Sequence, residues 1–202
     1  MFVKICGLST IEATRAALDA GADAIGLVIS ARSKRNVTIE AAQRIANYVG
    51  TNAQKVLVVN DLPAVQAAHL AKEIGADILQ LHGGNYDLSE FRDARTIVSR
   101  LWRATTEQAR GSLPVGSWGE EALLLDAPAP GSGQTWDFSR LKLRPPRGKW
   151  ILAGGLNPGN VTPAIMSCRP WGVDVSSGVE KAPGVKDVTL IAKFVYAAKN
   201  TM

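Results

Sequence analysis

The chain holds almost nothing from which to build a metal centre. Its 202 residues include two cysteines and two histidines. Cys6, His69, His82 and Cys168 stand far apart, without the close spacings of zinc ligands, so no metal is expected. Also missing is any apolar run near the roughly 20 residues that span a bilayer, so no membrane partner is expected. The opening Met1-Phe2-Val3-Lys4-Ile5-Cys6 passes straight into an apolar strand and lacks the tripartite layout of a secretory signal, which predicts a cytoplasmic protein. Two short basic clusters, Arg32–Arg35 and Arg140–Lys149, are not interleaved with aromatics as a surface for single-stranded nucleic acid would be, and no nucleic-acid partner is expected. The net charge of +5 suits an anionic small molecule, or serves only solubility.

What is present is the material for a core. A hydrophobic content of 46% against 20% charged residues describes a globular chain with no disorder signature. The length suits one domain with a large core, residues 1–202, and is short for two. Monomer and homodimer both remain open.

Short apolar runs recur at Val3–Cys6, Ala24–Ile29, Val56–Val59, Ile78–Leu81, Thr96–Ala104, Ala122–Leu125, Ile151–Ala153 and Gly172–Val175. Stretches with helical spacing separate most of them: Ile11–Ala20, Ile39–Val49, Leu62–Ile74 and Val161–Cys168, with Val188–Lys199 after the last. Alternating strand and helix predicts a parallel sheet, because parallel neighbours need a crossover that covers a sheet face. Eight such strands in a chain of this size fit a compact (β/α)8 TIM barrel better than a doubly wound sheet. The fifth crossover, Thr105–Glu120, carries Gly111, Pro114 and Gly116, and should be abbreviated or irregular. Ser9 and Glu12 have capping-box spacing, Thr38 and Asp61 are candidate N-caps, and Pro158 suits a first helical turn. Gly21 and Gly75 each end a helix and open the same Gly-Ala-Asp tripeptide, a hint of a repeated βα unit.

Side chains alternate along a strand, so one parity faces the barrel interior. This puts Lys4 and Cys6, Gln80 and His82, Asp126, and Asp174 and Ser176 inward, at or near C-terminal strand ends where barrel enzymes place their sites. Gln80, His82 and Asp174 are candidate substrate contacts, although a histidine at a strand end is more often a hydrogen-bonded spacer. Cys6 is either an inert small hydrophobe or a thiol whose ionisation Lys4 assists. Lys4 itself reads best as half of a buried ion pair in the barrel floor. Asp126 either pairs with a base or, in a largely apolar mouth, has a raised pKa and donates a proton. Arg35 is either solvated surface or a fork for a carboxylate. Gly154 and Gly155 after one strand, and Ser177 and Gly178 after the next, allow backbone N–H groups close to a ligand, for which phosphate is the natural guest. The Gly131–Gln134 stretch reads as a loop that could close over a ligand.

Taken together, several blocks resemble phosphoribosylanthranilate isomerase: Lys4-Ile5-Cys6-Gly7-Leu8, Gly21-Ala22-Asp23-Ala24-Ile25-Gly26, Ser33-Lys34-Arg35, Gln80-Leu81-His82-Gly83, Leu124-Leu125-Asp126, Ala153-Gly154-Gly155-Leu156-Asn157-Pro158 and Asp174-Val175-Ser176-Ser177-Gly178-Val179-Glu180. They keep their order from end to end. The resemblance implies an Amadori rearrangement of N-(5-phosphoribosyl)anthranilate, with Asp126 as general acid and Cys6 as general base. It further implies that Arg35 holds the anthranilate carboxylate, that the Gly154, Gly155, Ser177 and Gly178 backbone holds the phosphate, and that no cofactor is needed. The partner is then a small phosphosugar. A non-catalytic or differently specific phosphosugar-binding barrel is the alternative, which the joint presence of Cys6 and Asp126 disfavours. The chain departs from the family pattern at Gly84, at Val58 in place of a common phenylalanine, and at Arg103 in place of lysine.

Overall fold

The computed structural model describes residues 1–128 and 138–201. Its strands β1 (Phe2–Cys6), β2 (Ala24–Val28), β3 (Gln54–Val59), β4 (Ile78–His82), β5 (Leu101–Thr106), β6 (Ala122–Asp126), β7 (Trp150–Leu152) and β8 (Gly172–Val175) close into one barrel in sequence order. Every neighbouring pair is parallel, and the ring closes where β1 pairs with β8, Lys4 beside Asp174. The helices are α1 (Ile11–Asp19), α2 (Ile39–Val49), α3 (Ala64–Glu73), α4 (Leu88–Arg95), α5 (Ser139–Leu143), α6 (Val161–Cys168) and α7 (Val188–Lys199). The TIM barrel expected from the alternating pattern is the observed fold. Its fifth crossover is irregular: no helix stands between β5 and β6.

The Gly-Ala-Asp echo has a structural cause. After α1, the N–H groups of Gly21 and Ala22 donate to the carbonyls of Leu18 and Ala17, and after α3 those of Gly75 and Ala76 donate to Lys72 and Ala71. Both are Schellman endings with glycine at positive φ, 86° and 71°. The aspartate that follows then accepts the N–H of the second residue of an adjoining strand: Val3 N–H to Asp23 at 2.7 Å and Lys55 N–H to Asp77 at 2.8 Å. One tripeptide thus stops a helix and sets the register of a strand pair.

Several local expectations are corrected. Thr10, one residue beyond Ser9, is the N-cap of α1, accepting from Ala13 N–H. Asp61 caps nothing; Pro63 holds the N-cap position of α3, and the Asp61 carboxylate instead accepts from Ser30 Oγ and Ala31 N–H in the neighbouring loop. Pro158 lies in the turn before α6, whose N-cap is Asn160. The run Thr96–Ala104 merged the end of a helix with a strand: α4 ends at Arg95, Thr96 is its C-cap and β5 begins at Leu101. Polar character hid α4, although its Asp87–Glu90 capping box is complete. An antiparallel hairpin, β9 (Glu180–Ala182) with β10 (Val185–Lys186), follows β8 and was not legible as strands.

The alternation along the strands separates two cores. Leu79, Leu81, Val173 and Val175 pack outward in the layer shared with the helices, while Ile78, Val56, Val58, Trp102, Leu124, Ile151 and Cys6 fill the barrel. The N-terminal end is plugged by aromatics: Phe2 stacks on Trp171 with centroids 4.3 Å apart and meets Trp102 edge-on at 5.9 Å.

Candidate active site

The polar residues of the interior parity converge at the opposite, C-terminal end. Lys4 is completely buried and its Nζ donates to Asp174 Oδ1 at 2.9 Å across the β1–β8 seam. Burial alone would push the lysine pKa down, but the Asp174 carboxylate and Cys6 outweigh it, and Lys4 stays charged with a raised pKa. The ion pair foreseen for Lys4 therefore exists, and it reaches up to Cys6 rather than staying in the floor. Gly26 on β2 makes this possible: a side chain there would meet Cys6 Sγ at 2.8 Å and Lys4 Cε at 3.2 Å.

Cys6 is buried, and burial raises its thiol pKa against the opposing pull of Lys4 and Lys186. The resting group is the thiol. Asp126 closes β6 with its carboxylate 3.5 Å from His82 Nε2, and its Oδ1 accepts the Ala127 N–H at 2.7 Å. Burial raises the Asp126 pKa, with His82 opposing, and lowers that of His82, with Asp126 opposing. Burial thus acts on both groups in the direction of a carboxylic acid facing a neutral imidazole rather than an ion pair. Gln80 lies beside them, Nε2 3.4 Å from His82 Nδ1. Its Oε1 is buried and has no hydrogen-bond partner among the described residues.

Arg35 comes from the loop between β2 and α2. Its Nε and Nη2 donate to the two oxygens of Glu180 at 2.8 and 2.9 Å, a bidentate fork largely shielded from solvent. The arginine lies within electrostatic reach of both Cys6 and Asp126, so the three expected residues share one neighbourhood. Gly7, at φ 73°, is packed under the Arg35 stem and Ser176 Oγ, where a side chain would fall 3.0–3.2 Å from them.

The two glycine-rich loops also come together. Gly154 and Gly155 hold φ of 87° and 69°, and Gly178 lies so close against the Leu156 carbonyl that any side chain would overlap it. Ser177 and Gly178 open a short 3-10 turn, Ser177–Val179. Gly131–Gln134 lies outside the described residues. Of the departures, Arg103 points outward, stacked over Trp118 at 4.5 Å, away from the mouth, whereas Val58 lies inside the barrel.

Sequence reasoning missed two participants, Glu180 and Lys186. Lys186 Nζ donates to Ser176 O at 2.9 Å, to Ser176 Oγ at 3.3 Å and to Glu180 Oε1 at 2.8 Å. Glu180 ends the family-like block that begins at Asp174, whereas the signal for Lys186 was an acid and a base flanking the Pro183-Gly184 turn. Among the described residues no cluster of three or more His, Cys, Asp or Glu could hold a metal ion, and no helix is long and apolar enough to cross a membrane.

A sequence model of the family described as N-(5'phosphoribosyl)anthranilate (PRA) isomerase matches residues 3–197. The chain is 48% identical to the crystal structure of TrpF from Jonesia denitrificans, with a TM-score of 0.92 over 100% of this chain and 98% of that one. It is 40% identical over 199 residues to N-(5'-phosphoribosyl)anthranilate isomerase of Streptococcus pneumoniae, covering 98% of this chain and 96% of the relative. A second similar structure is a phosphoribosyl anthranilate isomerase in complex with reduced 1-(o-carboxyphenylamino)-1-deoxyribulose 5-phosphate, 31% identical with a TM-score of 0.83 over 98% of both chains.

Proposed function

From the premise that the chain belongs to the N-(5'-phosphoribosyl)anthranilate isomerase family, we propose that its barrel mouth performs the Amadori rearrangement with Asp126 as general acid and Cys6 as general base. The enzyme is an isomerase of tryptophan biosynthesis. The substrate joins a phosphorylated ribose to the nitrogen of anthranilate. Asp126 protonates the ribose ring oxygen as the C1–O bond breaks, and the nitrogen lone pair forms the C1=N iminium. Cys6 then takes the C2 proton, the C–H electrons flow into the iminium, and the resulting enolamine tautomerises to the 2-ketone. Carbon, nitrogen and oxygen count are unchanged, so the step needs no external oxidant or reductant.

The observation that carries this reading is that a buried thiol at the end of β1 and a buried carboxyl at the end of β6 share one mouth with Arg35. Burial pushes the Asp126 pKa up, toward the proton-bearing form that a general acid requires. Cys6 must first lose its own, and the ammonium groups of Lys4 and Lys186 offset part of the cost of a buried thiolate. Its raised pKa makes the thiolate a stronger base once formed. Arg35 receives the anthranilate carboxylate on the donors that Glu180 leaves unused, and the Gly154, Gly155, Ser177 and Gly178 backbone receives the phosphate. Gln80, His82 and Asp174 line the path between them.

The test is the decay of phosphoribosylanthranilate fluorescence, with substrate made fresh from anthranilate. Wild-type protein should accelerate it, and Cys6→Ser should lower kcat by about 10²–10⁴-fold. Near-normal turnover by Cys6→Ser removes that residue from the mechanism. No turnover by folded wild type favours a binding-only barrel.

A further inference from the structure

The hairpin after β8 does more than cover the barrel end. Glu180 Oε1 accepts from Arg35 Nε and from Lys186 Nζ, and Oε2 accepts from Arg35 Nη2 and, at 3.1 Å, from Gly184 N–H. The Glu180 and Lys186 side chains are 4% and 1% exposed. Lys186 also grips the carbonyl and hydroxyl of Ser176. A peptide unit is planar and trans, so a carbonyl held toward Lys186 turns the N–H of the same peptide, that of Ser177, the opposite way. Arg35 and Lys186 flank a single carboxylate, leaving one surplus positive charge beside a mouth whose substrate carries two anionic groups.

We propose that Lys186 and Glu180 are positioning residues that join the two ends of the substrate site, Lys186 by aiming the Ser177 N–H at the phosphate and Glu180 by presetting the Arg35 fork for the carboxylate. This rests on the reading of the site given above. Neither side chain touches the reacting atoms; each holds a group that binds an end of the substrate. Losing Lys186 leaves the Ser176 carbonyl only the longer bond from Val179 N–H, 3.4 Å, which loosens the Ser176–Ser177 peptide and weakens the phosphate grip while the acid and base stay in place.

The experiment measures kcat and KM for phosphoribosylanthranilate together with the dissociation constant of inorganic phosphate by calorimetry, which needs no turnover. Lys186→Met should weaken inorganic phosphate and raise KM by about tenfold, while the loss of a positive charge felt by Cys6 lowers kcat as well. Lys181→Met removes the same charge from an exposed position of the hairpin and should leave phosphate binding unchanged. Should Lys186→Met not fold, Glu180→Gln supplies the same test, with KM raised more than kcat is lowered. Unaltered phosphate affinity in Lys186→Met, an equal loss in Lys181→Met, or a fall in kcat alone would overturn the proposal. Tight phosphate binding by a wild type without turnover would sink the isomerase mechanism and leave the bridge standing.

Discussion

The two ends of the barrel are built from the same eight strands and obey different rules. At the floor, Phe2, Trp102 and Trp171 fill the interior with aromatic rings, and the charges sit on the rim in partly exposed pairs, Lys55–Asp77, Arg100–Glu121 and Lys199–Asp23. At the mouth, charge and titratable groups point inward: Lys4 and Asp174 are buried together, and burial raises the pKa values of Asp126 and Cys6. Between the ends lies a short interior layer of Val56, Ile78, Leu124 and Ile151. The floor contributes stability; the mouth spends some of it on poised chemistry.

The comparison breaks if the two ends respond alike to substitution. The largest effect should come from Asp126→Asn, with kcat down about 10²–10⁴-fold and thermal stability unchanged or higher at pH 7. The sign follows from linkage. Because the folded pKa of Asp126 lies above its unfolded value, its favourable contribution is complete below the unfolded pKa and is lost as pH rises through the folded one. At neutral pH the carboxyl therefore burdens the fold, and a neutral amide relieves it. Kinetics and thermal melts of the same preparation check both halves.

Next, Trp102→Ala at the floor should do the reverse. The ring is fully buried, and its loss should cost about 3–5 kcal/mol in denaturant unfolding while kcat of the folded enzyme holds. A large fall in kcat without loss of stability would mean that floor and mouth are not separable.

A smaller effect sharpens the comparison by pH. Burial would raise the Glu180 pKa, but Arg35 and Lys186 bring it down from 4.5 to about 2. Its stabilisation is then complete above the unfolded value and lost as pH falls through about 2, on the order of 3 kcal/mol in all. Acid unfolding of wild type between these limits should flatten in Glu180→Gln. An unchanged slope would show that the fork and the ammonium do not act as a stabilising pair.

Smallest is Asp87→Ala, at the exposed start of α4, which removes the side-chain acceptor for Ser89 and Glu90 N–H and should cost about 1 kcal/mol with unchanged kinetics.

How much of this was legible in the chain depends on how local each cause is. The barrel could be read because strand-helix alternation is a local pattern and a parallel pairing needs a crossover. The interior parity of Lys4, Cys6, Gln80, His82, Asp126 and Asp174 could be read because alternation is a property of any strand. Thr38 was found as a cap, but Thr10 and Pro63 were not, because neighbouring residues compete for one position by fractions of a kcal/mol. α4 was lost because its face is polar, with Phe91 and Ala94 its only buried residues.

The amino-acid sequence by itself determined the repeat of βα units, the Schellman endings at Gly21 and Gly75, and the side of each strand that meets the barrel axis, since each is decided by residues a few positions apart. Only the tertiary structure decided who meets whom at the mouth. Lys4 and Asp174 are brought together by closure of the ring, Cys6 has room because Gly26 stands beside it on the next strand, and Arg35 finds Glu180 because the hairpin after β8 folds back over the loop after β2. The pKa directions of Cys6 and Asp126 belong to this second class, because burial and opposing charge arise from chain segments far apart in sequence, and no local pattern carries them.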